Sequence, residues 1–318
     1  MAERFLVTGA AGFVGSHLMS ALRSDGCDVI GTALSSTQDD LVVMDLRDRD
    51  AVERTVKEVA PTRIFHLAAQ SSAALSWTDP ALTFGVNVAG TYALLDAVRR
   101  HTEDARVLVA ASSDGYGYVE PHECPIVESA PLRPLSPYAV SKVSSEAVAQ
   151  MFHHAFETPV IITRAFMHIG PGQPASFATA DWARQIARAE MGERDPIVSV
   201  GNLALAREFG DVRDVVLAYR MALESGQPGE VYNVATGQGR TLKEVLGILT
   251  DLAAVDIKVH VDPGKIRPAD PPLLVGSSAK LERATGWSPQ RLLRETLSEV
   301  IEHWRREVRL QNHTGPGG

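Results

Sequence analysis

Residues 8–15 read Thr-Gly-Ala-Ala-Gly-Phe-Val-Gly and join an apolar run, which ends at Thr8, to a helical pattern that begins at Gly15. Glycines 9, 12 and 15 let a tight turn close and let the backbone approach a pyrophosphate, whose charge the helix N-terminus stabilises. Three glycines alone would indicate only a tight turn between a strand and a helix. The position between strand and helix instead predicts a dinucleotide site that includes Phe13 and Val14.

Outward from this turn, apolar runs alternate with helical patterns through the first half of the chain. The runs cover residues 4–9, 27–32, 41–46, 63–69, 106–113 and 159–166. Helices are predicted between them over Gly15–Ser24, Asp50–Glu58, Leu82–Arg100 and Tyr138–Phe156. Continuously apolar strands alternating with helices predict an α/β fold of the Rossmann type, a doubly wound parallel sheet covered on both faces.

The rhythm changes after about residue 163, where Gly and Pro cluster and short strands follow irregularly. We therefore expect a dinucleotide-binding domain over residues 1–165 and a smaller C-terminal substrate lobe over residues 166–318. Residues 207–235 combine a helix with one more apolar strand, and they are expected to return to the first domain.

Composition narrows the class of partner. The formal charge of −8 argues against a general binder of nucleic acid or of membrane surfaces, because polyanions are met by basic faces. No apolar run approaches the roughly 20 residues of a membrane span, and the N-terminus shows no signal-peptide pattern. Cys27 and Cys124 fit neither a metal site nor a disulfide framework. A cytoplasmic protein without a structural metal is expected.

The end of the second apolar run bears on the choice of cofactor. Sites that prefer NAD usually place a carboxylate there for the ribose 2′-hydroxyl, whereas residues 31–36 read Gly-Thr-Ala-Leu-Ser-Ser. This leaves room for a 2′-phosphate, so NADP(H) is favoured, and NAD(H) stays possible because no arginine stands nearby. Asp45, near the end of the third run, is a candidate partner of the adenine amine or, alternatively, a loop cap.

A third motif combines Ser112, just after the fifth run, with Tyr138 and Lys142 one helical turn apart. A tyrosine phenol has a reference pKa near 10, and a neighbouring cation lowers it toward the range useful for proton transfer. The Ser112 hydroxyl is suited to hold a carbonyl or an alcohol in line with Tyr138. Ser136 and Pro137 fit a helix start immediately before Tyr138.

With these motifs together, the chain resembles the extended short-chain dehydrogenases/reductases that act on nucleotide sugars. The resemblance covers roughly residues 5–308, and it carries the family's Ser-Tyr-Lys triad onto Ser112, Tyr138 and Lys142. Within the family, the blocks at residues 168–173, 201–207 and 267–270 resemble GDP-4-dehydro-6-deoxy-mannose reductases most and GDP-mannose 4,6-dehydratases next. The cofactor contacts implied in addition are those of Leu46, Leu67, Ala68, Ala69, Asn87 and His168. The substrate contacts implied are those of Gln70, Ser72, Met167, Asn202, Leu203, Arg207 and Arg267.

Two residues depart from the family pattern. Met167 stands where the family has an asparagine, and a thioether is only a weak acceptor. This change implies weaker diphosphate binding, a different sugar or nucleotide, or a tolerated swap. Asp114 stands where dehydratases usually carry a glutamate that moves a proton. It is interpreted as an acid/base, as an orienting group for the sugar or as a loop cap.

The resemblance implies that NADPH reduces the C4 ketone of a nucleotide-linked 4-dehydro-6-deoxy hexose. A 4,6-dehydratase or 4-epimerase with a non-consumed cofactor is the alternative, and a catalytically silent cofactor-binding protein is a further one. The resemblance also implies a homodimer formed by a four-helix bundle of the helices predicted over Leu82–Arg100 and Tyr138–Phe156.

Overall fold

The computed structural model describes residues 3–35, 40–266 and 273–313, and Ser36 and Arg267 lie outside these ranges. The strands of the central sheet are β1 (Arg4–Thr8), β2 (Asp28–Ala33), β3 (Leu41–Val43), β4 (Arg63–His66), β5 (Arg106–Ala110), β6 (Val160–Ala165) and β11 (Val231–Val234). All seven run parallel in the order β11-β6-β5-β4-β1-β2-β3. The predicted Rossmann-type α/β sheet is confirmed.

Helices cover the sheet and build the remainder of the chain. Their bounds are α1 (Phe13–Ser24), α2 (Arg49–Val59), α3 (Ala73–Thr78), α4 (Pro80–Phe84), α5 (Gly90–His101), α6 (Pro137–Phe156), α7 (Ala178–Glu190), α8 (Val212–Ser225), α9 (Leu242–Asp251), α10 (Ala279–Thr285) and α11 (Leu293–His313). The shorter strands are β7 (His168–Ile169), β8 (Ile197–Val200), β9 (Ala206–Arg207), β10 (Gly210–Asp211), β12 (Arg240–Thr241), β13 (Lys258–Val261) and β14 (Leu273–Leu274).

Successive side chains along each strand point to opposite faces of the sheet and pack into two different hydrophobic cores. Val107 and Val109 of β5 are buried in a cluster with α2, α5 and α6, whereas Leu108 between them is buried in a cluster with α1 and α8. Burying one such side chain stabilises the fold by about 1.5–3 kcal/mol. Because both faces are covered, successive residues in the middle of most strands are apolar, which is why the strands appear as continuous apolar runs in the sequence.

A third buried cluster lies in the second half of the chain. It joins α7, α9 and α11 to β8, with Trp182, Ile186 and Val300 among its members. By contrast, β11 pairs with β6 at the edge of the central sheet, and α8 packs against α1. These pairings agree with the expected return of the chain after residue 207, whereas the boundary at residues 165 and 166 stays a prediction.

The helix predicted over Leu82–Arg100 is longer and is interrupted. Asp79 caps it by accepting a hydrogen bond from the Leu82 amide at 2.9 Å, so it begins at Pro80. Residues Gly85–Ala89 then form a π-helical segment between α4 and α5. Such wide turns are rare and occur mostly at functional sites. This one contains Asn87.

Among the residues that the structure describes, one helical stretch, Pro80–His101, is long and apolar enough to cross a membrane by length and composition, and an 18-residue window of it has a mean hydropathy of 1.3. Half of that stretch is buried inside the protein, and core helices of soluble proteins pass the same test. The absence of a membrane partner stays a prediction. Both cysteines are free, and the cytoplasmic location likewise stays a prediction.

Candidate active site

The candidate site lies at the carboxyl ends of the central strands, where open α/β sheets bind ligands. Thr8 and His66 are the last residues of β1 and β4 and are paired in register. Ser112 follows the end of β5 by two residues. The topology therefore brings the glycine turn, residues 67–72 and Ser112 to one edge of the sheet.

The glycine turn has the geometry of a cradle for a diphosphate. Gly9 adopts a φ of +72°, and a Cβ at Gly15 would lie 2.1 Å from the Gly9 carbonyl oxygen. Gly12 is the N-cap of α1 and has no side chain to accept from the first amides of the helix. These amides are therefore available to an anion. The residues present fit a bound dinucleotide.

Phe13 and His168 border this turn. Their rings stack with 6.1 Å between centroids, and Phe13 also meets the edge of His17. The His17 imidazole is 2.9 Å from the Pro171 carbonyl oxygen. Val14 packs against the core cluster beneath α1. The turn is thus buttressed by β7 and the loop that follows it.

Ser112 and Tyr138 are brought together by two different elements. Ser112 is the N-cap of the 3₁₀ turn Ser113–Tyr116, and its Oγ accepts from the Asp114 amide at 3.2 Å. Ser136 caps α6 by accepting from the Ala139 amide at 3.1 Å, and Pro137 occupies the first turn. The predicted helix start is confirmed. Tyr138 on this first turn lies close enough to the Ser112 side chain for that hydroxyl to act on its pKa.

The pKa of Tyr138 shifts upward. Burial, which penalises the phenolate, is the main cause, the negative charge of Asp114 adds to it, and the Ser112 hydrogen bond opposes both. The sequence led us to expect a downward shift from Lys142. That direction is not what the structure shows, because burial outweighs the neighbouring groups. Tyr138 is therefore held in its protonated form, the state from which it donates a proton.

Lys142 lies one turn further along α6 and is buried. Its Nζ donates a hydrogen bond to the Ala110 carbonyl oxygen at the end of β5. Burial lowers the pKa of Lys142 to about 8, against the opposing influence of the Glu146 carboxylate. A group with this pKa changes charge with small changes in its surroundings.

A buried ion pair supports this helix from below. Arg164 of β6 donates to both Glu146 oxygens, at 2.9 and 2.5 Å, and both side chains are at most 6% exposed. The Arg164 guanidinium also donates to the Tyr116 hydroxyl at 2.8 Å and to the Glu128 carbonyl oxygen at 2.9 Å. The pair therefore ties α6 to β6 and to the loop that follows Ser112.

Asn87 occupies the centre of the π-helical segment and is buried. Its Oδ1 accepts from the Gln70 amide at 2.7 Å, and its Nδ2 donates to the Gln70 carbonyl oxygen at 3.1 Å and to Ser141 Oγ at 2.8 Å. The Gln70 side chain is itself bonded to Thr83 and Ser72. Asn87 thus fixes the segment after Leu67, Ala68 and Ala69 against α6.

Asp45 and Leu46 lie in the loop after β3. Arg47 donates to both Asp45 carboxylate oxygens, at 2.6 to 3.0 Å, and this contact lowers the pKa of Asp45. In this arrangement Asp45 serves its own loop, and its predicted contact with adenine stays a prediction. Leu46 is buried in the core against Gly90, so its backbone alone is free to face a ligand.

The predicted substrate residues fall in two places. Met167 stands between β6 and β7, is 43% exposed, and its carbonyl oxygen accepts from the Gly210 amide. Asn202 and Leu203 lie in the loop between β8 and β9, where Asn202 Oδ1 accepts from the Ala204 amide at 3.0 Å. Arg207 is buried on β9. Arg267 lies outside the described residues, and the substrate roles of all these residues stay predictions.

Several polar residues of the site were missed in the sequence, namely Thr91, Ser141, Glu146 and Arg164, and so were the hydrogen bonds of Thr8 and His66. Thr8 and His66 end two strands that are neighbours in the sheet, and Asn87 and Thr91 are four residues apart on one helical stretch. Strand ends and helical spacing were therefore the available signal. Within the part of the chain that the structure describes, no cluster of His, Cys, Asp and Glu is suited to a metal ion.

Comparison with known proteins agrees with this geometry. The family model described as GDP-mannose 4,6 dehydratase matches residues 6–300. GDP-6-deoxy-D-mannose reductase of Pseudomonas aeruginosa is 35% identical, over 97% of this chain and 99% of the relative. GDP-mannose 4,6 dehydratase 2 of Arabidopsis thaliana is 30% identical, over 95% of this chain and 88% of the relative.

Solved structures show the same relationship. RMD from Pseudomonas aeruginosa, complexed with NADPH, superposes with a TM-score of 0.88 at 34% identity, covering 96% of this chain and 100% of that one. UDP-glucose 4-epimerase of Thermus thermophilus, complexed with NAD, gives a TM-score of 0.85 at 31% identity, covering 95% and 99%. This chain therefore belongs to the GDP-mannose 4,6 dehydratase family of short-chain dehydrogenase/reductase enzymes.

Proposed function

We propose that this enzyme uses NADPH to reduce the C4 ketone of a GDP-linked 4-dehydro-6-deoxy hexose. The observation that carries the proposal is the position of the half-buried Tyr138 between the Ser112 side chain and the buried Lys142, where its pKa is raised and its hydroxyl stays protonated. A protonated phenol is the state that a reductase needs. Similarity to the Pseudomonas aeruginosa reductase along the whole chain supports this choice of substrate.

Each member of the Ser-Tyr-Lys set has a separate task in this proposal. Ser112 holds the ketone oxygen by a hydrogen bond, and Tyr138 donates its proton to that oxygen as the carbonyl becomes an alcohol. Lys142 binds the ribose next to the nicotinamide and, with its charge, stabilises the phenolate that Tyr138 leaves behind. Proton transfer then depends on the positions of three side chains, one on the segment that follows β5 and two on α6.

The cofactor would be held by the glycine turn and by the strand ends beside it. The residues proposed to contact it are Gly9, Gly12, Phe13, Val14, Gly15, Asp45, Leu46, Leu67, Ala68, Ala69, Asn87, Tyr138, Lys142 and His168. When bound, the nicotinamide supplies the hydride. Residues 31–35 carry no acidic side chain, which supports NADPH over NADH.

The substrate would lie between the Ser-Tyr-Lys set and the smaller lobe. Gln70, Ser72 and Met167 are proposed to face the sugar, and Asn202, Leu203, Arg207 and Arg267 the nucleotide. Arginine suits a diphosphate because its planar guanidinium donates two parallel hydrogen bonds. Met167 donates none, so we propose that water or backbone groups complete the contacts there.

The stoichiometry of the cofactor tests the proposal. We expect one NADPH oxidised per GDP-4-dehydro-6-deoxy-mannose consumed, read at 340 nm and by product chromatography. Turnover without net oxidation of NADPH would replace the reductase by a 4-epimerase or dehydratase. Tight NADPH binding with no turnover of GDP-, dTDP-, UDP- or CDP-linked sugars would leave a silent cofactor-binding protein.

A 4,6-dehydratase is the second candidate because Asp114 stands next to Tyr138. The carboxylate is close enough to raise the pKa of the phenol, and a dehydratase needs such a group to move a proton. Asp114→Asn separates the two readings in the same assay. The reductase should lose less than about 10²-fold in rate, which is the low end of the contribution of a single general acid or base. A dehydratase acting on GDP-mannose should lose its activity.

We also propose a homodimer formed through α4, α5 and α6. These helices pack side by side and expose Phe84, Tyr92, Val140 and Met151, each at least 37% accessible. Exposed apolar side chains concentrated on neighbouring helices favour a bundle with a second copy. Sedimentation velocity at micromolar concentration should give a dimer that Met151→Glu weakens. A monomeric parent protein would exclude it.

A further inference from the structure

A chain of buried hydrogen bonds runs from the glycine turn to the catalytic helix. The Ala68 amide donates to Thr8 Oγ1 at 3.1 Å, and Thr8 Oγ1 is 2.8 Å from His66 Nδ1. His66 Nε2 is 2.9 Å from Thr91 Oγ1, which donates to the Asn87 carbonyl oxygen at 2.6 Å. The strand that leads into the glycine turn is thereby connected to Asn87.

The series of hydrogen bonds continues from Asn87 to α6. Asn87 Nδ2 donates to Ser141 Oγ at 2.8 Å, and Ser141 Oγ donates to the Tyr138 carbonyl oxygen at 2.7 Å. The five polar side chains in this series of hydrogen bonds, those of Thr8, His66, Asn87, Thr91 and Ser141, are at most 4% exposed. Water therefore cannot replace a lost partner cheaply.

The pattern of donors and acceptors has a single solution. The Thr91 hydroxyl donates its one hydrogen to a carbonyl, so its oxygen must accept from His66 Nε2–H. The other ring nitrogen, Nδ1, then accepts from the Thr8 hydroxyl, whose oxygen is the acceptor of the Ala68 amide. His66 is therefore neutral with its proton on Nε2. Burial and the nearby Lys142 charge lower its pKa to about 3, which keeps this form at neutral pH.

We propose that Thr8, His66 and Thr91 are positioning residues that tie Tyr138 to the cofactor turn through Asn87 and Ser141. Tight packing holds the glycine-turn end of this series of hydrogen bonds in place, because a Cβ at Gly9 would lie 2.9 Å from the Ala68 backbone. A shift of the glycine turn on binding the cofactor therefore passes to the first turn of α6. The inference rests on the proposed function only in assigning Tyr138 as the proton donor.

Thr91→Val tests the middle of the chain, because it keeps the shape of the side chain and removes its hydroxyl. We expect kcat to fall about tenfold through misplacement of Tyr138, with KM for the sugar and Kd for NADPH within about twofold. Thr91→Ser, which keeps the hydroxyl, should recover most of the rate. The matched control is Thr55→Val, since buried Thr55 also donates to a carbonyl four residues earlier, at 2.8 Å, but on α2. It should leave kcat unchanged.

Ser141→Ala tests the last link, and Ser145→Ala is its control on the same helix. Ser145 also donates to a carbonyl three residues earlier, at 2.9 Å. Ser141→Ala should lower kcat about as much as Thr91→Val does, again without a change in KM or in Kd for NADPH. If Thr91→Val does not fold, the comparison of Ser141→Ala with Ser145→Ala tests the proposal by itself.

A signal from Tyr138 itself makes the test independent of turnover. With tyrosine labelled by ¹³C at Cζ, the Tyr138 resonance is assigned by its loss in Tyr138→Phe. Thr91→Val and Ser141→Ala should shift this resonance in the NADPH-bound protein, whereas Thr55→Val and Ser145→Ala should not. If the parent does not oxidise NADPH, the proposed function fails, and the resonance still decides this inference. An unshifted resonance with unchanged kcat, or equal shifts in the controls, would overturn it.

Discussion

Tyr138→Phe is expected to lower kcat for reduction by about 10²- to 10⁴-fold, the contribution of a positioned general acid. The substitution removes one oxygen atom and keeps the aromatic ring of this side chain on α6. Affinity for NADPH should stay within about twofold, because the glycine turn and Lys142 are unchanged. Stopped-flow oxidation of NADPH and a fluorescence titration with NADPH measure the two quantities separately.

Tyr219→Phe is the matched control for this prediction. Tyr219 is also a buried tyrosine, and burial raises its pKa, but it lies on α8 on the other face of the sheet. Its replacement should leave kcat within about threefold, since it removes a hydroxyl without removing the acid. Persistent turnover in Tyr138→Phe would show that another group donates the proton. A joint loss of turnover and NADPH binding would show that Tyr138 acts structurally.

The sequence predicted the fold because the apolar pattern of the strands is a direct consequence of burial on both faces of a parallel sheet. The family resemblance placed Ser112 and Tyr138 in one catalytic set, and their joint role stays a prediction. The start of α6 was predictable because Ser136 and Pro137 act locally. Features that follow from the spacing of apolar residues, or from residues adjacent in the sequence, could therefore be predicted from the sequence.

The direction of the Tyr138 pKa shift was not accessible in the same way. Spacing along α6 puts Lys142 one turn from Tyr138, but it does not reveal that Lys142 is buried, that Tyr138 is half-buried or that Lys142 Nζ donates to Ala110. Desolvation depends on the whole fold, and here it outweighs the contribution of a single neighbouring charge. The hydrogen bonds of His66 were missed for the same reason, since its partners Thr8 and Thr91 are 58 and 25 residues away.

Arg164 is another residue whose importance is visible only in the structure. In the sequence it is one arginine at the end of an apolar run, where a surface ion pair is the usual expectation. In the structure its guanidinium and the Glu146 carboxylate are fully enclosed. Burial alone opposes the charge on Arg164, and the contact with Glu146 more than compensates, so that its pKa is raised.

Arg164→Met is therefore expected to lower the free energy of unfolding by about 3–5 kcal/mol, because it leaves the Glu146 charge buried without a partner. Urea unfolding followed by circular dichroism measures this loss. Arg23→Met is the surface control: the Arg23 and Asp40 side chains are 45% and 49% exposed, and breaking that pair should cost about 1 kcal/mol or less.

The double variant Glu146→Gln/Arg164→Met separates the ion pair from the shape of the core. Because the methionine fills part of the arginine volume and the glutamine carries no charge, we expect the double variant to be more stable than Arg164→Met alone. Equal or lower stability of the double variant would mean that Arg164 acts through Tyr116 and Glu128 and not through the charge of Glu146.

The same variant also removes the carboxylate that raises the pKa of Lys142. Recovery of stability without recovery of NADPH oxidation would then show that the buried pair serves the charge of Lys142 as well as the fold.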